Sequence, residues 1–78
     1  MVNFTVSPNP VQELLKIELD NVRGICCFNI YNVLGVKVFS GTNASSTVNV
    51  DVTGFPGGIY FLEVKSNNTI TTQKFIKN

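Results

Sequence analysis

Residues 57–64 read Gly57-Gly58-Ile59-Tyr60-Phe61-Leu62-Glu63-Val64: two glycines release an apolar run in which Tyr60, Leu62 and Val64 occupy every second position. Successive side chains of a strand point to opposite faces, so these three share one side of a sheet. The stretch is read as the strand around which the rest of the core packs. On its C-terminal side, Ser66-Asn67-Asn68-Thr69 predicts a two-residue turn, because Asn tolerates positive φ. Residues 70–76 are then expected to pair back on the glycine-led strand.

On the N-terminal side, Gly54-Phe55-Pro56-Gly57-Gly58 breaks a preceding strand in which Val48, Val50 and Val52 face in and Asn49 and Asp51 face out. Residues 41–46 are small and polar and are read as a loop. Val36 and Val38 begin a return strand after a hairpin at Asn32-Val33-Leu34-Gly35. There Asn suits the first position of a type I turn and Gly the left-handed conformation that makes a bulge. Residues 25–31 predict a strand with Cys26, Phe28 and Ile30 inward, since the opposite phase buries Asn29. Asn21-Val22-Arg23-Gly24 reads as a turn. Before it, Leu15, Ile17 and Leu19 alternate with Lys16, Glu18 and Asp20, the pattern of a half-buried strand. Residues 3–6 form a short β-prone run that stops at Ser7-Pro8-Asn9-Pro10, where two prolines remove backbone donors and hold Ser7 and Asn9 out of the helical region.

Seven short strands starting about every ten residues, with turn chemistry between them and no helical period, predict an all-β fold: a seven-stranded antiparallel immunoglobulin-like β-sandwich. The Cys and Trp landmarks of true immunoglobulin domains are missing. With 78 residues the chain builds one core, so residues 1–78 are read as a single domain. No apolar run approaches the ~20 residues of a membrane helix, and no basic segment followed by an apolar one stands at the start. An export signal is therefore expected on a longer secreted precursor of which this is a piece.

The net charge is +1, with Lys16, Arg23, Lys37, Lys65, Lys74 and Lys77 spread along the chain and nearly matched by Glu13, Glu18, Asp20, Asp51 and Glu63. That balance argues against nucleic acid as a partner and for no steering field. Catalysis by the common routes needs a positioned base, and a chain without His, with vicinal Cys26 and Cys27 and five scattered carboxylates, offers few ways to make one. The chain is read as no enzyme, with no catalytic residue, no cofactor and no metal site. Cys26 and Cys27 point to opposite faces of their strand and are read as small hydrophobes, poorly placed to bond each other. Tyr31, Phe39 and Phe61 are candidates for an outward aromatic platform, which gives the competing reading of a carbohydrate-binding or adhesive module of an extracellular protein. At the C-terminus, Gln73-Lys74-Phe75-Ile76-Lys77-Asn78 sets basic residues around an apolar pair. It reads as a last strand with solvated lysines, or as a docking element whose edge a partner strand extends.

Pro8-Asn9-Pro10, Ile30-Tyr31-Asn32-Val33-Leu34-Gly35, Gly58-Ile59-Tyr60-Phe61 and Lys74-Phe75-Ile76-Lys77, in this order and over this length, resemble the C-terminal sorting domain of type IX (Por) secretion substrates, type A. The resemblance covers essentially the whole chain. It implies a domain at the end of a secreted Bacteroidetes protein, recognised by the outer-membrane type IX translocon and cut from its N-terminal cargo by a sortase-like peptidase. The cargo passes through the periplasm and ends released or joined to surface lipopolysaccharide. Residue by residue, Pro8 and Pro10 match the family's Pro-x-Pro entry, Gly35 its hairpin glycine, Gly58 and Tyr60 its Gly-x-Tyr motif, and Lys74 and Lys77 its basic tail. Lys74, Phe75, Ile76 and Lys77 are the candidates for translocon recognition, the other motif residues being read as structural. Weak self-association through an exposed strand edge is also expected. The chain departs from the family in having Asn32 where an acidic residue often precedes the hairpin, and cysteines at positions 26 and 27 where aliphatic residues are ordinary.

Overall fold

The structure, a computed structural model, describes residues 3–20, 26–43, 47–66 and 69–78. The turn expected at residues 21–24, the middle of the one at 66–69 and the second half of the expected loop 41–46 lie outside the described residues. Seven antiparallel strands form two sheets, with no helix among the described residues: β1 (Asn3–Ser7), β2 (Leu14–Asp20), β3 (Cys26–Asn32), β4 (Lys37–Asn43), β5 (Thr47–Asp51), β6 (Gly58–Ser66) and β7 (Thr69–Lys77). The smaller sheet runs β1-β2-β5 and the larger β4-β3-β6-β7.

The two sheets share one core. Leu15, Ile17, Leu19 and Val50 come to it from the three-stranded sheet, and Cys26, Phe28, Ile30, Tyr60, Leu62 and Val64 from the four-stranded one. Period two therefore assigned these inward positions correctly, and Val52, just past β5, is fully buried as well. Residues 57–64 earn their place at the centre of the larger sheet: β6 pairs with β3 on one side and with β7 on the other. Cys26 is buried and Cys27 exposed, both as free thiols, so the small-hydrophobe reading holds for Cys26 alone.

The expected loop at residues 41–46 is corrected, because Gly41 and Thr42 continue β4 opposite Phe28 and Cys27. A Cβ on Gly41 would come within 3.4 Å of the Phe39 ring, so the inward ring lies across the glycine and fills the space its side chain leaves. Small residues that signal a breaker in sequence here make room for a neighbour. The same observation removes Phe39 from the outward platform, since it packs against the core. The return strand starts at Lys37, after Val36, and both Val36 and Val38 are exposed.

Candidate functional site

The segments singled out in the sequence meet at one end of the molecule. At the opposite end lie Asn3 paired with Asp20, Cys26 with Asn43 and Ser66 with Thr69.

The hairpin at the first end is built as its sequence suggests. Asn32 Oδ1 accepts from the N–H of Leu34 at 2.9 Å and of Val36 at 3.0 Å, while Gly35, at φ +82°, donates its N–H to the Asn32 carbonyl. Asn32 thus does with an amide oxygen what a carboxylate would do in an Asx-type turn, so the departure from an acidic residue preserves the geometry. A second irregularity follows, where Ile30 faces Phe39 but Tyr31 faces Lys37, leaving Val38 as the extra residue on β4.

Gly58 and Tyr60 lie beside the hairpin, lining a cleft of about 330 Å³ with Val33, Leu34, Val38 and Ile59. Gly58 has φ +151°, a region L-residues rarely adopt, and its backbone pairs with Lys77. A Cβ on the preceding Gly57 would stand 3.4 Å from the Lys77 carbonyl, which explains why two glycines open β6 against the chain's last strand. Tyr60 is buried. Its ring stacks on Phe75 at 5.6 Å between centroids and tilts against Phe55 at 5.3 Å, and its hydroxyl donates to the Pro56 carbonyl at 2.6 Å. The hydroxyl proton is used locally and the ring is packed on both sides, so Tyr60 is held within the fold.

The Pro-x-Pro entry brings a strap onto the same end. The N–H of Val11 donates to the Ile76 carbonyl, the N–H of Asn78 to the Val11 carbonyl, and the N–H of Ile76 to Asn9 Oδ1, all at 2.8–2.9 Å. Residues 9–11 thereby bond the outer edge of β7 over its final residues. Val11 is fully buried under them. Sequence reasoning missed Asn9 and Val11. An apolar residue directly after Pro-x-Pro was the available signal, but it belongs to no alternating run.

Alternation along β7 divides the four candidate recognition residues. Lys74 and Ile76 are exposed, while Phe75 is fully buried and Lys77 is only 8% exposed, its Nζ donating to the Asn78 carbonyl at 2.8 Å. The expected solvated lysines and exposed apolar pair are thus corrected: one lysine and one apolar residue face out. Tyr31 and Phe61 stay on the outer face as cross-strand partners, and Phe61 in turn faces Lys74.

Charge is also sorted by the strand pairing. The four-stranded sheet carries Lys37, Lys65, Lys74 and Lys77 against Glu63. The three-stranded sheet carries Glu18, Asp20 and Asp51 against Lys16, with Glu13 just before β2. A chain whose charges look evenly spread in sequence folds into one basic sheet and one acidic sheet.

Comparison with known proteins bears out the family resemblance. Residues 5–78 match the family described as secretion system C-terminal sorting domain. The chain is also 34% identical over 86 aligned residues to karilysin of Tannerella forsythia, covering 95% of this chain and 18% of that protein. The chain therefore spans under a fifth of its relative's length. With the family match running over residues 5–78, nearly the whole chain, the chain belongs to the C-terminal sorting domain family of type IX secretion.

Proposed function

We propose that residues 1–78 are the export address of a longer precursor, read as a folded domain by the outer-membrane type IX translocon. A sortase-like peptidase then separates the domain from cargo on its N-terminal side, leaving that cargo at the cell surface or outside the cell after passage through the periplasm. The domain itself is an address and performs no chemistry. The observation that carries this reading is the gathering of Pro8, Pro10, Gly35, Gly58, Tyr60 and residues 74–77 at the end of the sandwich remote from Asn3. Cargo continuing from Asn3 leaves that end uncovered.

Within residues 74–77 the translocon contacts fall on Lys74 and Ile76, while Phe75 and Lys77 hold the strand in place. The strand orders β1-β2-β5 and β4-β3-β6-β7 around one core support the immunoglobulin-like form of the sandwich. Pairing of isolated domains through β7 is confined to residues 70–74, because residues 9–11 already bond Ile76 and Asn78. The test is a periplasm-directed reporter fused ahead of residues 1–78, expressed in a type IX-secreting host and in the same host without the translocon. Surface delivery in the first and periplasmic retention in the second are expected; retention in both rejects the reading.

A further inference from the structure

Most of the large apolar side chains left exposed among the described residues lie at the end that carries the motifs. Val33, Leu34 and Val36 project from the hairpin, and Ile59 and Ile76 face each other across β6 and β7. Leu34 is 83% exposed, although a turn built by Asn32 and Gly35 has no structural need for leucine at its tip. Contiguous exposed apolar surface on a small domain marks contact with another molecule. Next to it on the same outer face, Lys37, Tyr31, Phe61 and Lys74 form one cross-strand row. At about 4.8 Å per strand the two lysines stand roughly 14 Å apart. The one carboxylate of this sheet, Glu63, lies in the adjoining row and accepts from Asn29 Nδ2 at 3.1 Å.

We propose that this basic-rimmed apolar end of the four-stranded sheet is the docking surface of the domain, and that its occupant is a protein segment of the export machinery presenting an apolar side chain flanked by carboxylates. The inference rests on the sorting-signal reading and names the partner's chemistry. The cleft between the hairpin and the entry to β6 has room for a side chain at about 330 Å³, a concave feature that suits a protein anchor better than a flat lipid surface. Two-fold pairing of this face with a second copy sets Lys37 and Lys74 against the same lysines, which disfavours self-association here. A segment carrying Asp or Glu beside its anchor meets both requirements.

The test uses the reporter fusion with Leu34→Ser, with Lys37→Glu plus Lys74→Glu, and with Lys37→Arg plus Lys74→Arg. Lys16→Glu on the other sheet serves as the control. All the substituted side chains are exposed, so thermal melting of each purified domain is expected within a few degrees of the unsubstituted one. The serine and double-glutamate variants are expected to lose surface delivery tenfold or more, while the arginine and Lys16→Glu variants retain it. Delivery of both the serine and the double-glutamate variant within twofold of the unsubstituted fusion overturns the proposal. So does loss of a micromolar dimer on Leu34→Ser, or binding to anionic phospholipid vesicles that the double-glutamate change abolishes. Failure of the unsubstituted fusion itself rejects the sorting reading instead, so the two failures are distinguishable.

Discussion

Tyr60 is fixed at both ends of its side chain, its ring between Phe55 and Phe75 and its hydroxyl on the Pro56 carbonyl. Removing the hydroxyl alone by Tyr60→Phe is expected to cost about 1 kcal/mol, the net value of one hydrogen bond. In a domain of this size that lowers the melting midpoint by roughly 4–8 °C. Asn32 supports a comparable local structure by accepting from two amides. Asn32→Ala is expected to cost about 1 kcal/mol and Asn32→Asp to melt near the original temperature, since a carboxylate oxygen accepts the same bonds. Gly58→Ala meets open space but not an allowed φ, and a loss of about 1–3 kcal/mol in denaturant titration is expected from backbone strain alone. The Asp51 carboxyl is held below its usual 3.8 by hydrogen bonds from the Thr53 hydroxyl and then the Thr53 backbone N–H. Its folded pKa is depressed, so its contribution is present above about pH 4 and fades as pH falls through the lowered value. Asp51→Ala is expected to flatten the acid limb of a pH-stability profile slightly.

β7 is where reading by element succeeded and then ran out. Its existence and its partner were legible from the asparagine turn and the apolar residues of 70–76, because a hairpin is a local event. Which of its residues face out was not, because Ile70 and Ile76 lie on the opposite face from Phe75 and Lys77. An apolar pair between two lysines looks like one exposed unit, and a terminal lysine looks like solvent. The register against β6 decided otherwise, by setting Phe75 opposite Tyr60. The strap over the edge was invisible for a related reason: its bonds join residues 65 to 67 positions apart, and nothing in Asn9 announces its acceptor's use. Alternate residues of an antiparallel strand turn their backbone groups to opposite sides, so Ile76 bonds the strap while Phe75 bonds β6. Asn9→Ala is expected to speed amide hydrogen exchange at Ile76 and leave Phe75 protected. Equal protection at Ile76 in both proteins would show that the Asn9 side chain does not close the edge.

For the whole molecule, period two and turn chemistry gave seven strands and the core residues of β2, β3, β5 and β6, where alternation reports the buried face directly, but not Phe4, Val11 or Phe75. Charge distribution did not follow from sequence in the same way. Lysines and carboxylates spaced evenly along the chain become separated only when strand pairing assigns them to one sheet or the other. The same pairing brings the proline entry, the hairpin, the glycine pair and the last strand to one end. Matching the family's motif residues named most of the parts of that end, and the fold alone divided them into residues buried or conformationally fixed within it and residues exposed on it. Tyr60 and Gly58 fall in the first group, Lys74 and Ile76 in the second. The most direct measurement of that division is the surface delivery of a Tyr60→Phe reporter fusion at a growth temperature well below the variant's melting midpoint. Delivery equal to that of the unsubstituted fusion is expected, because the folded surface is unchanged; lost delivery from a domain that is still folded would show that the tyrosine hydroxyl is itself read.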